Sequence, residues 1–118
     1  MHVKEVISEI RKIARLNPEI VYSRDIFNPG DYPCQYVVDG KGSCIVGRAL
    51  VNLGIVPERL HEFEGLQAED VLSHLSVGTD HSDQTEWVNR VQSHQDANAP
   101  WGIAVEKADR YIEGLTLD

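Results

Sequence analysis

Cys44 is the side chain that the sequence places best for chemistry. Ser43 reads as a helix N-cap, and a cysteine in the first turn of a helix sees unpaired backbone N–H groups and the positive end of the dipole. Both favour the thiolate. A thiolate nucleophile also needs a base, and His61, His74, His81 and His94 all follow it, His94 two residues ahead of Asp96. Nothing in the spacing selects one of the four, and Cys44 with His94 is the pair carried forward should the chain be an enzyme. The competing reading is packing, since Cys44 stands beside Ile45 and Val46 and cysteine is among the most often buried residue types. The sequence favours packing, with no catalytic residue.

Other chemistry-bearing patterns are weaker. Cys34 and Cys44 are too far apart for a zinc-finger pair, and Asp80-His81-Ser82-Asp83, though rich in ligand atoms, equally reads as the acidic start of a helix. No metal and no cofactor are expected. The run Asp39-Gly40-Lys41-Gly42-Ser43-Cys44 has the glycine, lysine and helix start of a phosphate loop but neither its length nor its order. Glu62 and Glu64, at i,i+2 on a helix, point apart and read as an acidic face rather than an acid/base pair.

The elements that must position these residues are mostly helices. Val3, Val6, Ile7, Ile10, Ile13 and Ala14 have helical spacing, and Asn17-Pro18 stops the pattern. Residues 22–33 carry Tyr22, Phe27 and Tyr32 among prolines and glycine and read as an ordered loop. Asp39-Gly40 is the strongest hairpin signal, while Val46, Ala49, Leu50 and Leu53 predict a helix from about Cys44 to Leu53, stopped by Gly54. Pro57 opens a short helix, and Ala68 to Leu75 forms another with Val71, Leu72 and Leu75 inward. A longer helix begins near Ser82 or Asp83, with Asp83 and Glu86 as a capping box, and runs to about Ala97. After Pro100 the last helix carries Trp101, Ala104, Val105, Ala108, Tyr111, Ile112 and Leu115 on one broad face. The expected fold is all-α or mainly α: one helical domain over 1–118, a bundle of about six short helices with at most a minor two-stranded hairpin near 34–42.

Composition bounds what such a domain does. A chain with 42% hydrophobic and 25% charged residues has enough apolar area to fold, and its net charge of −8 opposes approach to a phosphate backbone. Lys4, Arg11, Lys12 and Arg15 form the one local basic cluster, interleaved with Glu5 and Glu9 on a helix face. Direct nucleic-acid binding is not expected. The absence of a long apolar run predicts no membrane span, and the amphipathic start and scarce cysteines predict a cytoplasmic protein with reduced thiols.

Two stretches carry a resemblance. Tyr36-Val37-Val38-Asp39-Gly40-Lys41-Gly42-Ser43-Cys44-Ile45-Val46-Gly47-Arg48-Ala49-Leu50 is similar to small proteins of mycobacteriophages and related actinobacterial phages. So is Trp87-Val88-Asn89-Arg90-Val91-Gln92-Ser93-His94-Gln95-Asp96, continuing to Pro100-Trp101-Gly102. The resemblance implies a protein made inside an infected bacterium and acting there, and it carries over no catalytic or binding residue. With the acidity, it favours an accessory protein that binds and modulates a host protein without catalysis. Phe27, Tyr32 and Trp101 are the expected protein-binding anchors, and self-association stays open. The alternatives are a cysteine-dependent hydrolase or transferase using Cys44, and an acidic DNA mimic that occupies a nucleic-acid-binding protein.

Overall fold

Burial of one apolar stripe, Val3, Val6, Ile7, Ile10, Ile13 and Ala14, defines helix α1 (Val3–Leu16). His2 caps it: Nδ1 accepts from the Lys4 N–H at 3.1 Å while the Glu5 carboxylate accepts from the His2 N–H at 2.7 Å, satisfying two donors at the helix start. The structure, a computed structural model, describes residues 1–22 and 35–112. Phe27, Tyr32, Cys34 and Leu115 lie outside the described residues.

The Asp39-Gly40 signal is borne out as a tight turn. Both residues have positive φ, 53° and 75°, as the commonest two-residue hairpin turn requires. It joins β1 (Val37–Val38) to β2 (Lys41–Gly42), antiparallel, with Val37 opposite Gly42 and Val38 opposite Lys41. Helix α2 (Ile45–Asn52) follows at once, and its N-cap is Cys44 rather than Ser43. The reason is the hairpin, which still holds Ser43 through its N–H to the Tyr36 carbonyl at 2.9 Å. Gly54, at φ 103°, turns the chain after α2.

The remaining helices are α3 (Pro57–His61), α4 (Ala68–His74), α5 (Ser82–Asp96) and α6 (Trp101–Tyr111). The described residues thus form six helices and one two-stranded hairpin, the mainly α architecture expected. The expected Asp83–Glu86 cap on α5 is replaced by one two residues earlier, with His81 as N-cap and Gln84 reaching back to it. Gln84 Oε1 accepts from the N–H groups of Asp80 and His81, at 2.8 and 3.3 Å, and from the Thr79 hydroxyl at 3.0 Å. Gln84 is buried although the residues whose donors it accepts are exposed, so one inward-turned side-chain oxygen gathers the loop ahead of α5.

Helix α5 is the centre of the packing and touches α1, α2, α4 and α6. Trp87 and Trp101 are wholly buried around it. Arg11 was expected on an outer charged face, yet it reaches across to α6, where its guanidinium meets the Asp109 carboxylate at 3.0 and 2.6 Å. Trp87 Nε1 donates to the same carboxylate at 2.9 Å, and the Arg11 guanidinium lies 4.8 Å from the centre of a Trp87 ring. Three helices are joined at one carboxylate. Tyr111 departs from expectation: it is 58% exposed, with the Arg90 guanidinium stacked over its ring, because α6 ends there and its inward face is filled by Ala104, Val105 and Ala108. Among the described residues, no helix is long and apolar enough to cross a membrane.

Candidate functional site

Two glycines press the hairpin against α2. A Cβ on Gly47 would stand 1.9 Å from the Tyr36 carbonyl oxygen, and one on Gly42 would stand 2.6 Å from the Arg48 Cα, so both positions require the hydrogen that glycine alone offers. With β2 held on that side, β1 turns its free edge toward α3.

The segment after α3 then fastens that edge. Glu64 accepts from the Tyr36 N–H at 2.7 Å and the Val37 N–H at 3.3 Å, and the Tyr36 hydroxyl donates to the Leu66 carbonyl. The Glu64 side chain is 4% exposed. Burial raises its pKa above the usual carboxylate value, against the two N–H bonds and the nearby His61 imidazole, which pull it down. His61 Nδ1 lies 3.9 Å from the carboxylate. Glu64 is a correction to the sequence reading, which placed it on a solvated acidic face. Its partners are almost thirty residues back in the chain, and only tertiary folding brings them together.

Between β1 and α3 lies an open groove of about 530 Å³. Val37, Val38 and Pro57 make it apolar, and Asp39, Glu58 and His61 stand along it. Val38 is 37% exposed, and Val56, next to Pro57, is 56% exposed. Asp39 and Glu58 are both exposed, and among the described residues neither takes part in an ion pair. The groove falls within the usual volume of a ligand-sized cleft, whereas a recess of about 160 Å³ beside Tyr36, Asn89 and Gln92 falls below it. A third concave surface, of about 460 Å³, is edged by Pro18, Pro100 and Ile103, but one of its carboxylates, Glu106, is already bound by Arg110 at 2.9 Å.

Cys44 is completely buried. Its Sγ accepts from the Gly47 N–H at 3.4 Å and from Gln92 Nε2 at 3.4 Å, so it acts as the cap of α2. The side chain of α5 that meets it is Gln92. His94, on the same helix, is partly buried, and desolvation together with the charges of Lys107 and Arg90 lowers its pKa. Trp101 was expected as an exposed anchor and is instead wholly buried, its Nε1 donating to Gln95 Oε1 at 3.2 Å. The same Gln95 oxygen accepts from the Ile45 N–H at 2.8 Å, so one buried amide closes the start of α2 and holds the indole. That pairing explains why Trp101 faces inward.

Sequence reasoning missed Gln84, Gln92 and Gln95. Their signal was present, since Gln84, Gln92 and Gln95 fall at i±3 or i±4 from Val88 and Val91 on the buried face of the helix. Among the described residues, no group of three or more His, Cys, Asp or Glu side chains is arranged to hold a metal ion.

Fold and site together define a small, mainly helical protein with an apolar groove edged by carboxylates, set between a hairpin and a short helix. No protein-family model, curated protein or solved structure matches the chain.

Proposed function

We propose that this chain is a non-catalytic binding module of the phage-accessory type, which acts by holding a protein of the bacterial host. The observation that supports it most is the contrast between the two candidate sites. Cys44 is sealed in the core and occupied as a helix cap, while the β1–α3 groove is open and joins exposed aliphatic surface to carboxylates without ion-pair partners among the described residues. Exposed apolar surface bordered by charge is the usual make-up of a protein-docking surface. The net charge of −8 suits a basic partner, and the resemblance read from the sequence is the reason for proposing a partner from an actinobacterial cell.

The test is capture from mycobacterial lysate with the purified chain and with Cys44→Ser. The reading expects one stoichiometric partner held equally by both proteins, with retention falling as salt is raised. A lysate that yields no stoichiometric partner, or a turnover activity that Cys44→Ser abolishes in a folded protein, overturns it.

A further inference from the structure

Resting on the binding-module reading, we infer that the β1–α3 groove receives an apolar side chain from an extended partner segment whose neighbouring residues are Lys or Arg. The walls set the first requirement. Val37, Val38 and Pro57 offer aliphatic surface, and a groove of about 530 Å³ has room for a leucine-sized or aromatic side chain with its adjoining backbone.

Charge sets the second. Asp39 at the hairpin tip and Glu58 in the first turn of α3 stand on opposite walls, both exposed, with no Lys or Arg among the described residues lining the groove. A side chain entering between them brings its flanking residues against one carboxylate or the other. Cations there would be attracted and anions repelled, so the walls select a basic segment.

The edge of β1 sets the mode of entry. A peptide that added as a new strand would need the outward backbone groups of β1, yet the Val37 N–H is already bonded to Glu64. Glu64 thus blunts the edge, as charged groups do on other exposed strands, and leaves docking to side chains.

The probe is a capped Arg-Leu-Arg peptide titrated into ¹⁵N-labelled protein, with a capped Glu-Leu-Glu peptide as the comparison. Shifts are expected at Val38, Asp39, Gly40, Glu58 and His61 with the basic peptide and not with the acidic one. Removing one carboxylate with Glu58→Gln should weaken binding about 2- to 5-fold, the range for an exposed ion pair. Val38→Lys, at an exposed position, should abolish it, because it removes aliphatic wall and repels the basic peptide. Equal shifts with both peptides, no shifts, or shifts centred on Glu19, Gly102 and Ile103 overturn the inference. The captured host partner separates the two levels: retention by Val38→Lys and Glu58→Lys as strong as by the unaltered chain sinks the groove while leaving the binding module standing. A groove that takes the basic peptide in a chain that captures no partner sinks the module instead.

Discussion

Gln95 shows how much one side chain carries in this protein. Its oxygen serves two donors from different helices, the Ile45 N–H and the Trp101 indole, and its amide donates to Asp96 at 3.0 Å. Gln95→Leu preserves volume but orphans both buried donors, and should cost about 2–4 kcal/mol, read as a lower urea midpoint at unchanged slope. Cys44 makes the opposite kind of prediction, about reactivity. Because the thiol is sealed, iodoacetamide should modify it slowly in the folded protein and rapidly in denaturant, followed at the Cys44 peptide by mass spectrometry to distinguish it from Cys34. Fast labelling of the folded protein would bring back the nucleophile reading. The helix-start position of Cys44 was legible in the sequence; its burial and its Gln92 partner were not, because they depend on where α5 lands.

At the scale of elements, the hairpin is shaped from both sides by groups remote in sequence. Gly47 and Gly40 separate two effects that a sequence cannot tell apart. Gly47→Ala forces a methyl group into the Tyr36 carbonyl and must displace the hairpin from α2, whereas Gly40→Ala meets nothing within 4 Å and suffers only its positive φ. The first should lose about 2–3 kcal/mol or more and shift the amide signals of residues 36–42; the second about 1–2 kcal/mol with those signals nearly unchanged. Similar losses and similar shifts from both would mean that the hairpin does not rest on Gly47. The helices themselves were readable, since apolar spacing, Pro57 and Gly54 act locally. The caps moved by one or two residues, because Ser43 stayed in the hairpin and the Gln84 side chain reaches back to the residues ahead of α5.

Across the whole molecule, which measures 37 × 28 × 23 Å, three titrating groups give stability a defined pH course. His94 has its pKa lowered from 6.5, chiefly by desolvation, so the unfolded chain binds the proton more readily. Its contribution is complete above that value and is lost as pH falls from there through the depressed folded value. Asp109 is also held below its usual 3.8: burial acts to raise it, but the hydrogen bonds from Arg11 and Trp87 and the Arg11 charge outweigh that. Its contribution is lost at still lower pH. Glu64 runs the other way, because a raised carboxylate pKa makes folding somewhat more favourable once the group is protonated. Between pH 7.5 and 5 the His94 contribution should lower the thermal midpoint with acid and that of Glu64 should oppose it, so His94→Gln should make the midpoint fall less over that range than in the unaltered chain. An unchanged slope in His94→Gln would show that another group carries the acid sensitivity.

The order of helices, the hairpin turn, the acidic balance and the main core stripe follow from the sequence, because each rests on local spacing or on counts of residue types. Where the chemistry sits was decided by tertiary structure. Folding took Cys44 and Trp101 out of reach, turned Glu64 from a surface charge into a buried tie on β1, and opened between the hairpin and α3 a groove that no single segment contains. The physical reason is distance along the chain. Burial and hydrogen bonding at each of these positions are set by partners tens of residues away, and no local pattern encodes which of them will meet.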